Sequence, residues 1–272
     1  MLAEAGRENP ELKRSTLHHL RSLLSAIFHH AIQQGYLTGA NPVLEASIPR
    51  APEGDETYAY SLTEELMILK LLPDPARTIV AVAAFVGLSR SEIRGLEWPD
   101  YTGDRISVVR SVWESVVSEK KTRARKAPVP VIVPMQRLLD QFMLTSENRK
   151  KQAGQETPNR KHATGQQVSR LTDGDHLPPR PIFATIKGTP LSLNNVLNRQ
   201  ILPVLNACVK CGKVRSEHGE DHEYERDSTR PEWHGWHAFR RGLATNLHDL
   251  GVDDKTIQAI LRHANVAVTQ GC

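Results

Sequence analysis

The clearest pattern along the chain is helical. From Ser15 to Gln34, Leu17, Leu20, Leu23, Leu24, Ile27, Phe28 and Ala31 recur at three- and four-residue spacing, which puts them on one face. Ser15 or Thr16 is placed to cap this helix, Gly35 to end it, and Asn41-Pro42 to turn the chain. The opposite face carries His18, His19, Arg21, His29 and His30, a polar surface suited to water or to a DNA backbone. A complete apolar stripe needs something to pack against. The loosely patterned residues before it supply no partner helix, so residues 1–47 read as part of a helical module. Residues 48–60, rich in Pro, Gly and acids, read as a linker.

A second set of elements begins at Ser61. Ser61-Leu62-Thr63-Glu64 is a capping box opening a helix through Leu72. Ala76 to Val86 is almost continuously apolar and predicts a buried helix, and Ser91 to Leu96 begins another. Ile106, Val108 and Val112 alternate with polar residues between Arg105 and Val117, as a strand requires. Val129 to Val133 is a second strand, and the two predict a hairpin with a basic turn at Lys120 to Lys126. Met135 to Phe142, Ser192 to Leu205, His237 to Leu250 and Asp253 to Arg262 predict further helices, with Gly251 as a C-cap between the last two. Residues 146–180 are polar throughout and read as a disordered segment or long insertion, and 206–233 as an irregular polar insertion. The expectation is a mostly α fold with a small antiparallel β-sheet (α+β), residues 61–272 forming the second domain.

Composition narrows the classes without choosing one. The chain has 272 residues, 39% apolar and 24% charged, so it can build a sizeable core, and its net charge of +4 suits a polyanionic partner. No apolar run approaches the ~18 residues of a membrane span. The first residues lack the order of a signal peptide. Three cysteines imply no disulfide framework, which points to the cytoplasm.

The order of motifs carries the functional reading. A buried helix leads into Gly87-Leu88-Ser89-Arg90-Ser91-Glu92-Ile93; a basic-tipped hairpin follows; then come His237-x-x-Arg240 and Leu261-Arg262-His263. This order resembles the catalytic domain of the tyrosine recombinases, the phage integrase family. The resemblance runs from about Ser61 to the last residue. Ser15 to Pro42 looks like the second half of the family's helical core-binding domain, so the chain reads as truncated at both ends. The resemblance implies a site-specific recombinase that cuts and rejoins double-stranded DNA through a 3′-phosphotyrosyl intermediate, acting as a homotetramer on paired sites. Phosphoryl transfer spreads charge over the non-bridging oxygens, and arginines neutralise it bidentately, so no cofactor is needed for catalysis.

Carried over residue by residue, His237 and Arg240 match the His-x-x-Arg box and lie one helical turn apart. His263 matches the histidine of a box that usually reads Leu-Gly-His-Ser. Lys121, before Thr122, matches the lysine that protonates the leaving oxygen, although Lys120, Arg123, Arg125 and Lys126 crowd the same turn. Two positions depart from the pattern. The family reads Gly-Leu-Arg-x-Ser-Glu, whereas here Ser89 holds the third place and Arg90 follows it. One residue rotates a side chain by about 100° at a helix start, so Arg90 is the candidate first arginine and Arg94 a further one. No tyrosine follows Tyr224, and at the spacing where the family presents its nucleophile stands Cys272, nine residues after His263. The expectation is that the nucleophile is missing from these residues, with a cysteine nucleophile at Cys272 as the alternative. A DNA-binding remnant without catalysis is the rival reading.

One cluster falls outside that resemblance. Cys208-x2-Cys211-x6-His218-x3-His222 supplies two thiols and two imidazoles, a full tetrahedral set for a structural zinc. Asp221 and His234 are alternative ligands. A small zinc-stabilised interaction domain is the third reading, resting on this cluster alone.

Overall fold

A computed structural model describes residues 9, 12–52, 57–114, 116–119, 128–152 and 180–262. The chain forms two compact units, 1–57 and 58–272. Among the described residues no helix is long and apolar enough to cross a membrane.

The first unit is built on α1 (Arg14–Gln33). Its N-cap is Lys13, without a side-chain cap; the Thr16 and Leu17 N–H groups donate to the Lys13 carbonyl, so Ser15 and Thr16 lie inside the first turn and do not cap it. Gly35, at φ +75°, ends the helix as its position suggests. The Asn41 turn folds back on α1: its amide donates to the Ser25 carbonyl at 2.9 Å and its carbonyl oxygen accepts from Val43 N–H at 3.0 Å. Arg21 donates to the Leu44 carbonyl at 2.8 Å, so this cation of the polar face serves the local fold. Leu17 is buried, whereas Leu23 and Ile27 on the same stripe are 60% and 55% exposed.

The second unit is mostly helical, with small antiparallel sheets. α2 (Leu62–Leu71) opens on the expected capping box: Ser61 N–H donates to Glu64 Oε2 at 2.9 Å and Glu64 N–H to Ser61 Oγ at 3.3 Å. α3 (Ala76–Phe85) is the centre of the core. Ala76 and every residue from Thr78 to Ala84 are buried, because this helix packs against α2, α5 and α8 at once. α4 (Arg90–Gly95) follows, then a single 3₁₀ turn at Trp98–Asp100.

The strands depart from the sequence pattern. The single strand expected over Arg105 to Val117 is divided. β1 (Arg105–Ile106) pairs with β4 (Val129–Pro130), and β2 (Arg110–Trp113) turns at once into β3 (Val116–Glu119). The turn is made at Glu114, in the left-handed region at φ +51°. Arg94 fixes it by donating to the Glu114 carbonyl at 2.7 Å and the Val112 carbonyl at 3.4 Å. Gly95 lets α4 lie against β2, since a Cβ there would stand 2.8 Å from the Arg110 carbonyl oxygen.

α5 (Val133–Gln152) continues well past Phe142, so the start of the polar stretch is helical; residues 153–179 lie outside the described residues. The chain returns at Arg180 and Ile182, bonded to Trp98 and Leu96, and runs through α6 (Leu193–Val196), a π-helical stretch (Leu197–Ile201) and α7 (Leu202–Leu205). The unit closes with α8 (Trp236–Asp249) and α9 (Asp254–Leu261).

Candidate functional site

Three motif segments, far apart in sequence, meet where α3 gives way to α4. Gly87 makes that turn at φ +67°, and a Cβ on it would stand 2.9 Å from Leu243 Cδ2 and 3.0 Å from Leu261 Cδ2. Glycine is therefore required twice, by conformation and by the close approach of α8 and α9. Ser89 is the N-cap of α4, its N–H donating to Glu92 Oε2 at 2.8 Å.

Arg240, on the first turns of α8, donates from one Nη to the Gly87 carbonyl and from the other to the Leu261 carbonyl. The guanidinium thus ties the α3–α4 turn to the end of α9. His237 lies one turn earlier on α8 and is exposed. Gly242 lets this helix reach the Tyr60 segment, for a Cβ there would run into the Tyr60 carbonyl oxygen. Beneath it Glu65 is 1% exposed, and its Oε1 has no hydrogen-bond partner among the described residues. Burial, with a smaller push from Glu64, raises its pKa to about 8.

The residue that sequence reasoning missed is Arg262. It follows α9 in the left-handed conformation, φ +56°, and is 4% exposed. Its Nη2 donates to Glu92 Oε2 at 3.1 Å, a buried ion pair joining the end of α9 to the start of α4. A signal is present in the sequence: an arginine stands where the resembling box has glycine, the residue that tolerates this backbone.

The other expected site residues fall as follows. The Arg90 guanidinium lies over the Trp113 ring, 5.6 Å from its centroid, and Arg94 is committed to carbonyls of the β2–β3 turn and to Leu191. Lys121, His263 and Cys272 lie outside the described residues.

The cysteine–histidine cluster is brought together. One ligand atom each from Cys208, Cys211, His218 and His222 lie within 4.8 Å of one another. Cys208 Sγ is 3.3 Å from His222 Nε2, which is 3.1 Å from His218 Nε2. Burial works against the charged Cys208 thiolate, but the backbone N–H groups of Glu225, Cys211 and Lys210 and the His222 ring outweigh it and hold its pKa at about 5. Asp221 is not in the group, and His234 stacks on Tyr58 with ring centroids 3.6 Å apart.

This arrangement of helices has the fold of the tyrosine recombinases. No family model matches the chain. In sequence it is similar to a tyrosine recombinase XerC-like protein of Caldanaerobacter subterraneus subsp. tengcongensis, 23% identical over 271 residues; the match covers 93% of this chain and 60% of that relative's length. In structure it is similar to the Tn1549 transposon integrase in complex with circular intermediate DNA, with a TM-score of 0.62 at 18% identity, covering 98% of this chain and 77% of that one. A lambda integrase dimer bound to a COC′ core site matches with a TM-score of 0.54 at 19% identity, covering 99% and 76%.

Proposed function

We propose that this chain is part of a site-specific DNA recombinase, with the Arg240 region as its phosphate-binding site. The observation that carries the reading is that the Arg240 guanidinium joins the Gly87 turn to the end of α9, while the Arg262–Glu92 ion pair ties the same end to the start of α4. Arg240 neutralises the non-bridging oxygens of a DNA phosphate, and exposed His237, one turn away, donates to the same group. Arg90 is the candidate first arginine, Lys121 the acid for the 5′-oxygen and His263 the second histidine. On this reading double-stranded DNA is cut and rejoined through a 3′-phosphotyrosyl intermediate by a homotetramer on paired sites. No tyrosine follows Tyr224 in these residues, so the nucleophile of this reading is not among the residues named here. The chemistry needs no cofactor, because arginines supply the positive charge; a metal in the Cys208–His222 cluster would serve the fold alone.

Ser89 at the place of the family's arginine favours a second reading, a DNA-binding remnant without turnover. Fluorescence anisotropy with duplex DNA tests what the two share. Affinity falls on the order of tenfold or more between 50 and 200 mM salt as counterions are released. Arg240→Lys, which keeps the charge but loses the bidentate fork, weakens binding about tenfold. Binding that ignores salt would remove both readings. A suicide DNA substrate separates them: a covalent 3′ complex with protein extended beyond Cys272 supports the recombinase, and its absence leaves the binder.

A further inference from the structure

The insertion between α7 and α8 has no core of its own. From Val209 to Arg230 no residue is buried, and the stretch holds one short 3₁₀ turn at Arg215–Glu217. A solvated segment of this length has little apolar burial to offset the entropy of ordering it. Yet it folds back on itself. Val209 N–H donates to the Glu225 carbonyl and Asp227 N–H to the Ala207 carbonyl, both at 2.9 Å, and Tyr224 Oη donates to the Asn206 carbonyl at 2.7 Å. These bonds close the base of a loop that brings two thiols and two imidazoles together.

We propose that Cys208, Cys211, His218 and His222 bind one zinc ion that orders this insertion. The four ligand atoms are gathered at the scale of a single metal site. Zinc bonds of about 2.0–2.3 Å separate the ligand atoms of a tetrahedron by roughly 3.3–3.8 Å. The observed separations include 3.1 and 3.3 Å, with all four atoms inside 4.8 Å. The first ligand pair sits on a tight turn: Gly212 N–H donates to the Cys208 carbonyl and Cys208 N–H to the Lys213 carbonyl, each at 2.8 Å, with Gly212 at φ +71°. His218 makes an edge-on contact with Tyr224, and the Arg215 guanidinium lies over the Tyr224 ring, 5.1 Å from its centroid. Two thiolates with two imidazoles select zinc over oxygen-seeking cations, and a full protein ligand set leaves no open position for catalysis. The role is structural, on the approach to α8, and does not depend on whether the chain acts on DNA.

Metal analysis of the full chain, purified without chelator, tests this. The expected content is about one zinc per chain. Cobalt(II) in its place gives the intense visible absorption of a tetrahedral thiolate site. In competition with a chromophoric chelator, Cys211→Ser and His222→Ala each weaken zinc at least about tenfold, while Cys272→Ser, which alters the one cysteine outside the cluster, leaves it unchanged. Less than about half an equivalent of zinc after incubation with zinc and buffer exchange would overturn the proposal. So would a weak, octahedral cobalt spectrum, a Cys208–Cys211 disulfide in protein kept reduced, or equal loss in Cys272→Ser. The cobalt measurement on unaltered protein keeps the test decisive should a variant fail to fold.

Discussion

Two regions of the 58–272 unit are held together on opposite terms. Around Gly87, Arg240 and Arg262 the chain is dry. α3 is buried at Ala76 and from Thr78 to Ala84, glycines at 87 and 242 admit close approaches, and the Arg240 and Arg262 guanidinium groups are tied to carbonyls and to Glu92. Between Val209 and Arg230 nothing is buried, and order comes from a ring of hydrogen bonds around four metal-ligand side chains. The first region uses tertiary packing to hold charged groups in place, and burial makes those groups sensitive to loss of a partner. The second depends on ligand chemistry. Damage to one should therefore leave the other standing.

The largest effect is expected at the buried ion pair. Glu92→Ala leaves the Arg262 guanidinium, 2% exposed along its side chain, without this carboxylate. Breaking such a pair costs about 3–5 kcal/mol, read as a lower urea midpoint by circular dichroism. Adding Arg262→Gly removes the second charge and gives φ +56° to the residue that suits it, so the double variant recovers much of the loss. Zinc content should be unchanged in both. A loss below about 1 kcal/mol in Glu92→Ala would mean that the pair is solvated and the region wetter than its packing implies.

Glu65 is expected to give the next effect. Its pKa is about 8 in the fold, against 4.5 for an ordinary glutamate, because it is buried beneath α8. The unfolded chain releases this proton above pH 4.5, while the fold keeps it until about pH 8. Stability contributed by the protonated acid is therefore full below pH 4.5 and is lost as pH rises through that window, at about 1.4 kcal/mol per unit. From pH 5 to pH 7 that amounts to about 3 kcal/mol. Glu65→Gln, neutral throughout, should flatten the slope in urea titrations at several pH values. An unchanged slope would assign the pH dependence to other groups.

Much of this organisation is legible in the amino-acid sequence. Helices with a full apolar run or a capping box, such as Ala76–Phe85 and Leu62–Leu71, appear within a residue or so of their expected bounds, because period and cap chemistry are local. The spacing Cys208-x2-Cys211-x6-His218-x3-His222 also names the four side chains that converge. What is not legible depends on distant partners. The Arg105–Val117 pattern reads as one strand, but Arg94 reaches across to the Glu114 carbonyl and the chain turns there. Arg262 looks like one more surface cation until its partner, 170 residues earlier in the chain, is known.

The smallest predicted effect tests where the dry region ends. Arg90 lies over Trp113, a ring 61% exposed on β2. A cation–π contact at an exposed site is worth about 0.5–1 kcal/mol, so Trp113→Ala should lower stability by no more than that. Arg90→Ala on top of it should cost nothing further, because the contact is already gone. A loss above about 2 kcal/mol in Trp113→Ala would place the β2–β3 hairpin inside the packed region and make Arg90 a structural residue. The same pair of variants in the DNA-binding assay sharpens the assignment of Arg90. If its guanidinium serves a phosphate, Arg90→Ala lowers affinity and reduces the salt dependence by about one phosphate contact, whereas Trp113→Ala leaves the salt dependence unchanged.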